Sequence, residues 1–262
     1  MRHYRVVPVL GLAVPLSALL PGWAAAQPAE NAIHFGAYFA EGRFNGHSDT
    51  TIRYLPVGYR WRGERWGIEV LAAGLSVTGV GNVLVNVGEV TRAIAGSAVT
   101  TETGLGDTIA GVSYAIDPLA GWMPFIDLRF EAKIPTADES RSLGTGGFDY
   151  SLQVDLSQAI GEFTWFAGFG HNFRGRSDLF PGLRDNRFVQ LGLARQLANG
   201  ISAGVFYDYR EAPADFARET HEIYPYASFP LGRGWWFTAL IGRGFTEGSA
   251  DYAVQGQLEY RF

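Results

Sequence analysis

FDYSLQVDLS, Phe148 to Ser157, is the stretch whose pattern decides the fold. Phe148, Tyr150, Leu152, Val154 and Leu156 alternate strictly with Asp149, Ser151, Gln153, Asp155 and Ser157. Residues two apart share one face of a strand but scatter around a helix, so this segment is a strand with one greasy and one polar side. Ile126 to Ile134 repeats the pattern, with Ile126, Leu128, Phe130, Ala132 and Ile134 set against Asp127, Arg129, Glu131 and Lys133. Each side needs a solvent of its own. In a soluble sandwich the apolar side would meet a second sheet; in a membrane barrel it would meet lipid, and the polar side would line the lumen.

Connection lengths separate these two architectures. Reading the chain at the same period places strands near 33–40, 50–61, 65–77, 104–116, 122–134, 147–158, 162–173, 186–197, 200–210, 220–230, 234–245 and 251–262. The links near Arg62–Arg65, Asp117–Gly121, Gln158–Gly161, Ala198–Gly200 and Leu231–Gly234 are short. Those near Glu41–Asp49, Thr78–Thr103, Pro135–Gly146, Arg174–Asp185, Glu211–Glu219 and Thr246–Ala250 are mostly longer and polar. Short turns on one rim and long loops on the other are the signature of an outer-membrane barrel, and nothing in a sandwich demands them. The expected fold is an all-β, transmembrane, antiparallel up-and-down β-barrel of about 12 strands. Thr78 to Thr103 is read as a long external loop; β-branched residues in Asn82–Gly88 and Arg92–Thr100 leave an extra hairpin, and fourteen strands, as the alternative.

The first 26 residues read as a secretory signal. Arg2 and Arg5 form a basic start, Val6 to Leu20 is apolar around Pro15, and Ala24-Ala25-Ala26 offers a cleavage site before Gln27. That leaves 27–262 as one outer-membrane β-barrel domain, exported to the outer membrane of a Gram-negative bacterium. The leader carries two of the 21 Lys and Arg residues and none of the 26 acidic ones, so the mature chain has a net charge of −7, which disfavours nucleic acid as a partner. Cys 0 excludes disulfides and thiol chemistry, while Trp 7, Tyr 12 and Phe 18 supply the aromatic belts that barrels place at membrane interfaces. The last strand, VQGQLEYRF, puts Val254, Gly256, Leu258, Tyr260 and Phe262 on the lipid side. A terminal Phe262 with an aromatic two residues earlier resembles the signal read by the outer-membrane assembly machinery, so that machinery and outer-membrane lipid are the expected partners.

Residues for chemistry are sparse. His34, His47, His171 and His221 lie at no metal-binding spacing, and no catalytic, cofactor or metal residue is assigned. HNFRGRSD, His171 to Asp178, faintly resembles the active-site segment of the twelve-stranded outer-membrane phospholipase, but Phe173 stands where that family has its serine nucleophile. GLGDTIAG and LGTGGFD lack the following Lys and Ser/Thr of a phosphate loop. The candidate pore-lining ladder is Asp127, Arg129, Glu131 and Lys133 facing Asp149, Ser151, Gln153 and Asp155. A hairpin centred near Arg141 puts Lys133 opposite Asp149, and Arg129 between Gln153 and, diagonally, Asp155. Such a ladder either lines a selective constriction or simply fills and stiffens a narrow interior. Phe166, Phe206, Tyr224, Tyr226 and Trp236 take the same inward parity, subject to a one-residue slip.

GLGDTIAGVSYAI, KIPTADESRSLGTGGFDYSLQVDLS and GRGFTEGSADYAVQGQLEYRF together resemble, over nearly the whole mature chain, the outer-membrane family labelled "putative MetA-pathway of phenol degradation". Ala137 departs from the expected glycine. The resemblance implies a membrane barrel concerned with uptake of aromatic or other hydrophobic compounds, with phenol as one candidate. The expected function is a non-enzymatic outer-membrane pore passing small solutes, aromatic or hydrophobic ones among them, without cofactor. The alternatives are a structural or partner-binding barrel with a blocked lumen and, third, a lipid-modifying enzyme.

Overall fold

In a computed structural model, describing residues 30–44, 48–80, 98–178, 180–215 and 217–262, the chain closes into one antiparallel barrel. The strands are β1 (Glu30–Gly42), β2 (Thr50–Arg62), β3 (Trp66–Val80), β4 (Val99–Leu105), β5 (Thr108–Ile116), β6 (Phe125–Ile134), β7 (Asp149–Ile160), β8 (Phe163–Phe173), β9 (Asn186–Gln196), β10 (Ser202–Arg210), β11 (Thr220–Gly232), β12 (Trp235–Gly244) and β13 (Tyr252–Arg261). Sequence neighbours pair all the way round, and β13 returns to β1, so the barrel has twelve strand positions plus the extra segment β4. Closure leaves no edge, which is what lets strands cross a bilayer where no water can satisfy a bare N–H or C=O.

β4 and β5 correct the expectation of a single strand over 104–116. Both pair with β3, as Gly74 with Leu105 and Leu71 with Ile109. Two residues of β3 therefore face three, Gly106 to Thr108, on the other side, a β-bulge that breaks the strand. Beyond it β4 continues β3's ribbon above the barrel wall. Thr78 to Val80 and Val99 to Thr103, expected to lie in the long loop, thus belong to β3 and β4, while 81–97 and the leader lie outside the described residues.

The two rims differ as the connection lengths required. The short turns are tight: Gly232, Arg233 and Gly234 all have positive φ, which two glycines make inexpensive. At the same rim the chain ends meet, with Phe262 N–H donating to Asn31 O at 2.9 Å and Asn31 N–H to Phe262 O at 3.1 Å. The opposite rim carries the long loops. Leu55, Leu152, Ile241 and Val254 are exposed on the outer wall, a contiguous apolar band that only lipid can solvate.

Candidate functional site

The inward parity of every strand converges on the lumen, and the eight ladder residues all point there. The β6–β7 register is the one the sequence implied: Lys133 opposite Asp149, Arg129 opposite Gln153, Glu131 opposite Ser151 and Asp127 opposite Asp155. Arg129 reaches Glu131 Oε1 at 3.6 Å and Asp155 Oδ2 at 3.7 Å, and Gln153 Nε2 donates to Asp155 Oδ1 at 2.6 Å. Lys133 Nζ lies 2.9 Å from Asp149 Oδ2 and 3.3 Å from Asp107 Oδ2, and donates to Thr145 Oγ1 at 2.6 Å. Arg174, from the β8–β9 loop, completes this cluster at 3.2 Å from Asp149 Oδ2. Buried charges persist only when paired in this way.

Two charged regions occupy different heights of the lumen and adjoin along β6 and β7. In the short-turn half, β13 and β1 to β7 contribute Arg129 with its partners, Glu259 held by Arg60 at 2.7 Å and Arg261 at 2.6 Å, and His34 3.6 Å from Glu69. In the long-loop half, β6 to β11 contribute the Lys133 cluster and Asp208, which accepts from Gln190 at 2.9 Å and pairs with Arg210 at 2.8 Å. A small space of about 30 Å³ remains among Arg60, Arg62, Glu69 and Arg129, and another of about 40 Å³ among Arg62, Arg65, Asp127 and Arg129, near the short-turn mouth.

Beside the charged regions lies an apolar seam. Ile52, Tyr54, Leu75 and Val77 begin it near the long-loop rim of β2 and β3, and Phe166, Phe206, Tyr226 and Leu240 continue it in the body of β8 to β12, as one connected buried cluster. Phe206 stacks on Tyr224 with ring centroids 5.0 Å apart. The inward aromatics lie flat because glycines face them. Gly192 is the cross-strand partner of both Phe166 and Phe206, Gly170 that of Phe188, and Gly204 that of Tyr226. At each of these glycines a Cβ would collide with the ring beside it. The parity reading of Phe166, Phe206, Tyr224 and Tyr226 as inward is correct, and Trp236 also turns inward, under the guanidinium of Arg261 at 4.6 Å.

Sequence parity could not see the loop residues that enter the lumen. Leu143, from the β6–β7 loop, is 2% exposed and caps the seam. Its loop is clamped by Arg141 Nη1 donating to Thr103 O at 2.9 Å and by Ala137 N–H donating to Asp107 Oδ1 at 3.0 Å. At the loop's tip the Ser140 hydroxyl, 2.6 Å from Asp138 Oδ1, holds the Asp138 carboxyl below its ordinary value. His171 faces outward beside Asp185 at 3.9 Å, with the Phe173 ring against it where a nucleophile would be needed.

The family model described as "Putative MetA-pathway of phenol degradation" matches residues 36–262. The chain belongs to that family. Among solved structures it is similar to the COG4313 outer membrane channel from Pseudomonas putida F1, at 14% identity and a TM-score of 0.70, covering 92% of this chain and 97% of that one. It is also similar to the KdgM porin, at 9% identity and a TM-score of 0.55 over 88% and 99% of the two chains. A third likeness is the β domain of the Bordetella autotransporter BrkA, at 15% identity and a TM-score of 0.55 over 90% and 100%. No curated protein matches the sequence. The fold shared by this family member is that of outer-membrane channels and translocator barrels.

Proposed function

We propose that this barrel is a passive outer-membrane channel for small solutes of apolar or aromatic character. The observation that carries the reading is the connected apolar cluster inside the lumen, in a barrel whose charged side chains are largely tied to one another. A hydrated ion entering here would trade its water for guanidinium and carboxylate groups already satisfied. An apolar solute loses nothing by leaving water for Tyr54, Leu75 and Phe206. The name of the family and the channel fold support the same reading. Vesicles with a lipopolysaccharide outer leaflet test it: toluene should enter faster with the protein than without it, a sugar should gain little, and ionic conductance in planar bilayers should be small. An equal gain for both solutes, or for neither with folded protein, overturns it.

Leu143 is the closure at the long-loop end. Leu143→Ala removes the side chain that caps the seam and should raise toluene flux several-fold while leaving heat-modifiable gel migration intact; unchanged flux would assign the closure elsewhere. The tight filling of the lumen by Phe166, Phe188 and Leu240 favours, as the second reading, a blocked barrel whose loops bind a partner, and the same flux measurement discriminates the two.

Export and assembly follow the chain ends. Residues 1–26 act as a leader, so mass spectrometry of the mature protein should find Gln27 first. Phe262, stacked on Tyr260 at 5.7 Å, ends the strand presented to the assembly machinery. Phe262→Ser should lower the folded, membrane-inserted fraction severely in cells yet leave refolding into detergent nearly unchanged. An equal loss in both settings would make Phe262 a stability residue only.

A further inference from the structure

The outer wall, independently of the channel reading, carries a recess of about 420 Å³, within the ~300–1,000 Å³ range of small-molecule sites. It forms where two rows of outward side chains run in register across β3, β5, β6 and β7. The lower row is Trp66, Tyr114, Leu128 and Val154; the upper is Ile68, Val112, Phe130 and Leu152. Val112 is short between larger neighbours, so the wall dips there while Tyr114, Phe130 and Leu152 stand around it. This dip lies on the lipid-facing band, so what fills it is hydrocarbon.

The short-turn end of the recess is finished differently from its sides. Trp66 and Tyr114 meet edge to face, centroids 4.8 Å apart, and Arg65 Nη1 donates to the Tyr114 hydroxyl at 3.3 Å. Arg65 is fully exposed at the water boundary, and the acidic residues Glu64 and Asp117 lie within its electrostatic reach. One cation thus stands at the mouth of an apolar slot, with two carboxylates in its neighbourhood, on the rim facing the periplasm.

We propose that this recess is a binding site for one phospholipid of the inner leaflet, with a headgroup bearing both phosphate and a primary ammonium. An acyl chain lies along Val112 and Leu128, the phosphate meets Arg65, and the ammonium meets Asp117 and Glu64. A phosphate alone would be opposed by those carboxylates, and a quaternary ammonium could not donate hydrogen bonds to them. The charge pattern selects phosphatidylethanolamine chemistry over phosphatidylglycerol or phosphatidylcholine.

The test uses the full mature barrel, reconstituted with equal amounts of phosphatidylethanolamine, phosphatidylcholine and phosphatidylglycerol, then stripped by detergent exchange and weighed by native mass spectrometry. One retained phosphatidylethanolamine per barrel is expected. Arg65→Ala, losing one charge-assisted hydrogen bond, should reduce retention about tenfold. Asp117→Asn should weaken the preference over phosphatidylcholine, and Asp117→Asn with Glu64→Gln should erase it. Leu128→Trp, filling the slot, should release all three lipids, whereas Ile241→Trp on the far wall should release none. Heat-modifiable migration verifies folding of each variant, with Leu128→Phe as the milder replacement if Leu128→Trp fails it. Retention equal in the slot-filled and far-wall variants, or retention without headgroup preference, overturns the proposal.

Discussion

Lys133→Met should be the most damaging single change in the barrel, costing about 3–5 kcal/mol, the usual penalty for stripping one partner from a buried ion pair. The ammonium is 2% exposed and is the only cation within ion-pair range of Asp107 among the described residues; it also shares Asp149 with Arg174. Its loss leaves Asp107 buried with little besides the Ala137 N–H, and frees the Thr145 hydroxyl that ties the β6–β7 loop to the wall. Methionine keeps the length and the apolar stem, so the effect reports charge rather than volume. Urea midpoints in micelles, read by heat-modifiable migration, should fall sharply. Adding Asp107→Asn should recover part of the loss, because the carboxylate no longer needs a counter-charge. If the double variant is no better than Lys133→Met alone, the cluster is not acting as a unit.

That cluster also marks how far the sequence alone could be read. Strict alternation over Phe148–Ser157 encodes which side faces lipid, and the complementary charges of Lys133 and Asp149 pin the β6–β7 hairpin to one register, so both were legible. The same logic ran along β13, where Gln255, Gln257 and Glu259 take the inward face. Alternation carries no information about which strands meet when the sheet closes. Arg60 and Glu259 are far apart in sequence, and only the pairing of β1 with both β2 and β13 brings them to 2.7 Å.

Loops broke the reading for a different reason. Leu143 and Arg174 lie where no strand period operates, and Asp107, read as part of a strand over 104–116, sits at its break, so their turn into the lumen depends on a cavity that exists only once the barrel is built. The β4–β5 break has the same origin. Asp107 is pulled inward by Lys133 and the Ala137 amide, Gly106 N–H pairs with Ala73 O at 2.8 Å, and the bulge follows from those contacts rather than from any local preference of the residues. The lumen-facing glycines were visible as residues, but their purpose was not, since a glycine opposite a ring is recognisable only after the register is known.

Gly192→Val tests that purpose and should have the second-largest effect, this time on transport. Gly192 sits between Phe166 on β8 and Phe206 on β10, and a Cβ there would occupy the place of the Phe166 ring edge. The ring has two ways out. It can push the backbone apart, which overpacking costs at about 1–3 kcal/mol, or swing off the wall into the seam. β-Strands hydrogen-bonded on both sides resist the first, so the ring moves and the path narrows where Phe166 and Phe206 already approach to 6.4 Å. Aromatic solute flux should therefore drop to a small fraction of wild type, with only a modest fall in the urea midpoint. Phe166→Ala in the same chain removes the displaced ring and gives valine its space, so flux should return. If Gly192→Val alone leaves flux unchanged, solutes do not travel along the seam, and the ring-on-glycine pairs serve packing only.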